Sequence, residues 1–261
     1  NSNNELTLEE VVDEITEQIG EEEQYPPHIS PIQMENTSRF QGADWYEEMR
    51  GLNIAIIGCG GIGSYTAFLA SRLQPREISL FDFDTVDNSN LSGQLFSSNS
   101  IGTSKVTAMS KFIHNYSLYN NIHEFGEFND ECYIGSYDVI IGALDNMSVR
   151  KTLFEKWSRV GKSDSILIDG RLNAEEFQIF AMKQTDYEAK DNYRDNWLFS
   201  SEEADQTICS YKQTSFMANM IGAMINNLIV NYAYNRYYNM PLRTIPYKTY
   251  YSGPSMDFKI E

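Results

Sequence analysis

The run Gly58–Cys59–Gly60–Gly61–Ile62–Gly63 constrains this chain more than any other stretch. Residues 52–57, just before it, are a short apolar run that suits a strand buried on both faces. After it, Ile62, Thr66, Leu69 and Leu73 recur at helical spacing. A strand, a glycine turn and a helix in that order form a nucleotide-binding βαβ unit. Glycines let the backbone turn sharply and approach phosphates, while free N–H groups at the helix start attract negative charge. Gly58, Gly60, Gly61 and Gly63 are therefore the candidate phosphate loop. Glycine turns also serve plain packing, so it is the placement between strand and helix that favours a nucleotide. Cys59 reads as a small filler within the loop.

The alternation continues downstream. Apolar runs at 78–83, 138–143, 165–169 and 177–182 predict further strands, and 105–114 and 148–160 predict helices. Residues 183–210 are polar and irregular, which predicts a loop. Small and apolar residues over 216–230 predict a closely packed buried helix, and Ser252–Gly253–Pro254 predicts a hairpin-like turn. Together these predict an α/β, Rossmann-like fold. Its sheet is mainly parallel, with helices on both faces and right-handed crossovers.

Residues 1–36 differ from the rest. They carry ten acidic and no basic side chains, which leaves −7 of the net charge of −17 on the remaining 225 residues. Thr7 and Glu10 have capping-box spacing, and Leu8, Val11, Val12, Ile15 and Ile19 share one helical face. Glu21–Glu22–Glu23 and Pro26–Pro27 then break the pattern as a linker does. The division predicted is an acidic N-terminal helical arm at 1–36 and a nucleotide-binding domain at 37–261. The arm's apolar stripe needs a surface, on its own domain, a second subunit or a partner. The charge disfavours nucleic acid, which needs a concentrated basic surface. Neither a long apolar run nor a signal-peptide pattern occurs, so no membrane partner and a cytoplasmic location are expected. Three scattered cysteines without a CxxC pair argue against a disulfide framework and against zinc.

Asp82 lies nineteen residues beyond Gly63, where an acidic residue accepts hydrogen bonds from ribose hydroxyls. A nicotinamide-dependent dehydrogenase looks the same up to Asp82, but the residues downstream do not fit one. Asp82–Phe83–Asp84–Thr85–Val86–Asp87–Asn88–Ser89–Asn90–Leu91 continues from the ribose position, Lys105 comes after Gly102, and Asp145–Asn146 closes the third predicted strand. With the glycine loop, these resemble the adenylating superfamily of ThiF, MoeB, HesA and the ubiquitin-activating enzymes. That family's pattern is GxGGxG, DxDxVxxSNLxRQ, GxxK and (T/L)DN, and the resemblance spans residues 38 to about 230. It implies adenylation of the C-terminal carboxylate of a ubiquitin-like protein or peptide, with MgATP consumed and pyrophosphate released.

The same resemblance implies roles for individual residues. Asp82 would hold the ribose, and Asn90 and Lys105 would contact the phosphates. Asp84, Gln94 and Asn146 would join the nucleotide-binding set, and Asp145 would bind Mg²⁺. Arg39, in Ser38–Arg39–Phe40–Gln41, matches the family arginine that reaches into the opposite subunit, which implies a homodimer.

Two departures stand out. The second family arginine, of SNLxRQ, is replaced by Gly93 in Ser89–Asn90–Leu91–Ser92–Gly93–Gln94. Losing a phosphate-clamping guanidinium slows phosphoryl chemistry. Either the chain is a catalytically degenerate scaffold of the same fold, or another arginine supplies the charge. Arg171, at the end of a predicted strand, is the candidate, and Arg150 a weaker one read as a surface helix residue. The paired CxxC zinc motifs of MoeB and ThiF are also missing. Cys209 lies where some relatives carry a cysteine, and it reads either as a thiol nucleophile or as an incidental residue.

Overall fold

The computed structural model describes residues 37–40, 42–199 and 213–261. The predicted acidic arm and Cys209 lie outside the described residues. Trp45 leads into a short helix α1 (Tyr46–Gly51), which packs Met49 beneath the sheet. Strand β1 (Asn53–Ile57) comes next, and its Ile-rich sequence is buried from Ile54 onward. Helix α2 (Gly61–Ser71) starts from the glycine loop, and β2 (Glu77–Phe81) pairs parallel with β1. After a long connection come α3 (Lys105–Ser117) and β3 (Ile122–Phe125), which pairs parallel with β2.

The chain then returns to the other side of β1. Strand β4 (Val139–Gly142) pairs parallel with β1, α4 (Met147–Val160) crosses over, and β5 (Ile166–Asn173) pairs parallel with β4. A tight reversal leads to β6 (Glu176–Lys183), antiparallel to β5. Helices α5 (Tyr187–Trp197) and α6 (Ser215–Tyr238) precede the hairpin of β7 (Lys248–Ser252) and β8 (Asp257–Ile260). The sheet order is β3-β2-β1-β4-β5-β6-β7-β8.

Helices cover both faces. Ile62, Val106, Met109, Ile221 and Ile225 bring α2, α3 and α6 onto one face; Leu153, Phe154, Trp157 and Tyr193 bring α4 and α5 onto the other. Gly222 lets α6 approach α2, since a Cβ there would lie 3.0 Å from Cβ of Tyr65. The Asn226 amide bridges the same contact, donating to the Thr66 carbonyl (3.2 Å) and to that of Gly222 (2.8 Å).

The predicted Rossmann-like, mainly parallel architecture is present, and β6, β7 and β8 extend its five parallel strands by antiparallel pairing. One expectation is corrected. The predicted loop at 183–210 contains α5. Asp186 caps that helix by accepting from Ala189 N–H (3.0 Å), and Ala189 and Tyr193, four residues apart, are its buried side chains with Lys190.

At the N-terminal ends of the strands, buried Asp138 gathers three elements. It accepts from Asn53 N–H (2.8 Å), Lys162 Nζ (2.5 Å) and Arg236 of α6 (2.9 Å). Burial alone would raise its carboxyl pKa, but these donors outweigh it and hold the group below the usual range.

Candidate active site

The chain leaves β3 on one side and re-enters at β4 on the other, so β1 and β4 flank the point where strand order reverses. Ligands in open α/β sheets bind in the crevice beyond the strand C-termini at that point. A cavity of about 480 Å³ opens there, lined by Gly58, Gly60, Gly61, Asp82, Lys105 and Asp145 among others.

The glycines have distinct reasons. Gly58 has φ +95°, and a Cβ there would sit 2.4 Å from the Ala143 carbonyl oxygen, so only glycine lets β1 and β4 end side by side. A Cβ on Gly63 would fall 1.8 Å from the Gly58 oxygen, which makes this glycine a packing requirement beneath the loop. Gly60 is different: the nearest atom to a Cβ there is Nε2 of Gln94 at 3.9 Å. Its missing side chain leaves open space in the cavity. The first N–H groups of α2 have no intrahelical acceptor, and Gly61 and Ile62 line the cavity. Cys59 between them is fully buried. Burial pushes its thiol pKa well up, and Asp82 adds to this while Lys105 partly offsets it.

The acidic residues after β2 organise the wall. Asp82 Oδ2 accepts from Cys59 N–H (2.7 Å) and Oδ1 from Asp84 N–H (2.8 Å), so one carboxylate ties the glycine loop to the β2 end. Lys105, only 6% exposed, donates from Nζ to Asp84 Oδ2 (2.7 Å). Phe83, 71% exposed, lines the cavity between the two aspartates. Asp87 caps the turn of helix at Asn88–Ser92, and Asn90 Oδ1 accepts from Asp87 N–H (2.9 Å). Asn90 thus shapes the loop and does not line the cavity.

On the opposite wall, Asp145 is exposed and has no hydrogen bond or ion pair to another described residue. Asn146 lines the cavity and caps α4, accepting from Ser148 N–H (2.8 Å). Gln94 lines it too, and its buried Oε1 has no hydrogen-bond partner among the described residues. An open glycine cradle, an orphaned buried amide oxygen and an unpaired carboxylate fit a polyphosphate with a hard divalent cation. Among the described residues, no group of three or more His, Cys, Asp or Glu side chains converges as a metal cluster.

Arg39 and Arg171, like Asn90, are not in the cavity lining. Arg39 is exposed on the turn Ser38–Phe40, away from the cavity lining. Arg171 is not brought to the cavity. Adjacent residues of a strand face opposite ways. Gly170 faces Ile62 and Ile221, whereas Arg171 donates to Asp169 Oδ2 (2.8 Å) and Tyr193 Oη (3.1 Å) and stacks on Phe180. Arg150, read as a surface residue, is buried. It donates to Asp169 Oδ1 and to the Leu144 carbonyl, next to Asp145. Gln213, which the sequence pattern did not single out, lines the cavity from the segment leading into α6. No local signal marks it, because its place depends on where that segment crosses. Phe83 carried a usable signal as an apolar residue between two acids at a strand end.

Residues 33–259 match the ThiF family. Over 135 residues the chain is 30% identical to ubiquitin-like modifier-activating enzyme 5 of Dictyostelium discoideum, covering 45% of this chain and 35% of that protein. The Gallus gallus enzyme of the same name is 28% identical over 134 residues, covering 45% and 34%. The matched stretch thus spans about a third of these relatives' length. Among solved structures, PaaA superposes with a TM-score of 0.70 at 18% identity, covering 97% of this chain and 91% of that one. Escherichia coli MccB with ATP gives 0.67 at 15%, covering 89% and 71%. These two likenesses are of fold. The family match runs through both the parallel and the antiparallel halves of the sheet, and the chain belongs to the ThiF family.

Proposed function

We propose that this chain is an ATP-dependent adenylyltransferase acting on the C-terminal carboxylate of a ubiquitin-like protein or peptide. One observation carries the reading: the glycine loop, Asp82, Lys105 and Asp145, scattered over 88 positions from Gly58 to Asp145, share one cavity. In the reaction a substrate carboxylate oxygen bonds to the α-phosphorus, and the bond to pyrophosphate breaks. Asp82 retains lone pairs for a ribose hydroxyl. Lys105 offers its ammonium to the phosphates as charge builds on the leaving group. Asp145 supplies a hard oxygen for Mg²⁺, which when bound neutralises phosphate charge.

Charge supports both the metal and a second subunit. The residues lining the cavity include one cation, Lys105, against four carboxylates, Asp82, Asp84, Glu127 and Asp145. A polyphosphate entering such a lining needs further positive charge, from Mg²⁺ and from Arg39 of a second copy, which makes the working unit a homodimer. The names of the relatives point to ubiquitin-like modifiers, and MccB is solved both with ATP and with N-formylated MccA. The acidic composition favours protein over nucleic-acid partners. Among the described residues no helix is long and apolar enough to cross a membrane.

Gly93 favours a second reading, a nucleotide-binding scaffold that has lost turnover. Exchange of ³²P-pyrophosphate into ATP, with a panel of proteins and peptides ending in Gly-Gly, separates the two. Substrate-dependent exchange is expected; MgATP binding without exchange across the panel refutes the enzyme and supports the scaffold.

A further inference from the structure

Gly93 stands where the family pattern carries an arginine, and its surroundings show why no side chain is there. A Cβ on Gly93 would lie 2.8 Å from the carbonyl oxygen of Gln213 and 3.0 Å from its Cγ. The backbone of the segment entering α6 therefore crosses directly over residue 93. Just after the crossing, Thr214, the residue before α6, ties the segment down: its hydroxyl donates to the Ala174 carbonyl (3.2 Å). No side chain fits at 93 while Gln213 holds this course.

The Gln213 side chain continues from there to the start of α2. A Cβ on Gly61 would meet Oε1, Cδ and Nε2 of Gln213 at 2.3, 2.6 and 2.9 Å. The amide thus lies against the first residue of the helix whose N–H groups open into the cavity, and Gln94 lines the same wall. A primary amide carries two N–H donors and one acceptor oxygen. It can donate to phosphate oxygens as a guanidinium does, with no net charge.

We infer that Gln213 is a phosphate-binding residue of this chain, its amide taking the place of the guanidinium lost at Gly93. The inference rests on the nucleotide reading of the cavity. It separates two roles that one arginine combines: hydrogen bonding is kept by Gln213, while positive charge is left to Lys105, the metal and the second subunit. It also makes Gly93 a fitted partner of Gln213, as a degenerate site does not require.

The test uses Gln213→Met, which keeps the stem against Gly61 and Gly93 but removes the amide, and Gln213→Glu, which puts a carboxylate at the same place. Affinities for MgATP, AMP and adenosine are measured by titration calorimetry on the full chain, with circular dichroism melts as the check on folding. Hydrogen bonds to charged groups predict a loss of about ten- to a hundredfold in MgATP affinity for Gln213→Met, a larger loss for Gln213→Glu, and unchanged adenosine affinity. Gln213→Met binding MgATP as wild type does, or losing ATP and adenosine affinity alike, overturns the inference. Wild type failing to bind MgATP overturns the nucleotide reading itself.

Discussion

Replacing Arg150 with methionine tests how the loop carrying Asp145 is held. From the first turn of α4, the guanidinium donates to Asp169 Oδ1 at the end of β5 and to the Leu144 carbonyl beside Asp145. Methionine retains most of the stem and donates nothing. Asp169, 2% exposed, keeps Arg171 Nε and Tyr193 Oη on Oδ2, both at 2.8 Å. It is therefore not stripped of all partners, and the upper end of the cost of breaking a buried ion pair is not reached. What is lost is one charge-assisted bond, about 2 kcal/mol, and the partner of a carbonyl, about 1 kcal/mol. Arg150 Nε is already buried without a partner among the described residues, so its removal returns a little of that total. The expected net loss is about 2–3 kcal/mol, read in urea as a lower midpoint at unchanged slope. The freed Leu144–Asp145 segment should also raise the Mg²⁺ concentration needed for half-maximal pyrophosphate exchange. A stability loss below about 0.5 kcal/mol, the range of ordinary surface substitutions, would refute the reasoning.

Other substitutions probe the rest of the site. Gly58→Ala puts a Cβ at φ +95° against the Ala143 carbonyl, and should cost about 3 kcal/mol in thermal melts while weakening MgATP binding. A melt that matches wild type would show that the close approach of β1 and β4 is not required. Asp145→Asn should raise the Mg²⁺ requirement for exchange about tenfold or more, with MgATP-independent stability unchanged; equal Mg²⁺ dependence would remove Asp145 from the metal. Because Asp138 has a lowered pKa in the folded state, its stabilisation is present above the unfolded carboxyl value near pH ~4 and is lost as pH falls through the folded value. Urea midpoints from pH 6 to 3 should fall steeply for wild type and less for Asp138→Asn. The buried Cys59 thiol should resist iodoacetamide in the native protein and react only on unfolding, as peptide mass mapping would report.

Local features were legible where one short stretch dictates its own geometry. The glycine loop announces itself because Gly58 needs positive φ, and Asp82 comes at a distance set by one helix and one strand. In the antiparallel half, the apolar run at 177–182 marked β6 and Ser252–Gly253–Pro254 marked the turn between β7 and β8, but the direction of β6 was not legible, since periodicity reports which residues are buried but not which way a strand runs. Strand β3 carries only one half-buried residue, Ile122, before three exposed ones, so no apolar run marks it. Helix α5 is largely exposed, yet Asp186 as a cap and the four-residue spacing of Ala189 and Tyr193 were readable signs. The expectation for Arg171 failed on a period of two: Gly170 faces the cavity side of β5, so its neighbour faces away. Gln213 was beyond reach, because it meets Gly61 and Gly93 only through the path of a distant segment.

The unequal exposure of Lys105 and Asp84 has a consequence for how a ligand would be received. The lysine side chain is 7% exposed and the aspartate 51%. Exchange of partner then moves only the carboxylate, which is already half in water, while the ammonium stays where the fold has set it. Asp84 acts as a placeholder that holds the Lys105 ammonium in position (2.7 Å) before any ligand arrives. The conformational entropy of a long flexible side chain is surrendered on folding and not on binding. A ligand must also out-compete a carboxylate for that ammonium, so a weak monoanion gains little from the swap while a polyphosphate gains much. On the proposed reading, the pair thus sets a threshold of charge that a polyphosphate would pass and a monoanion would not.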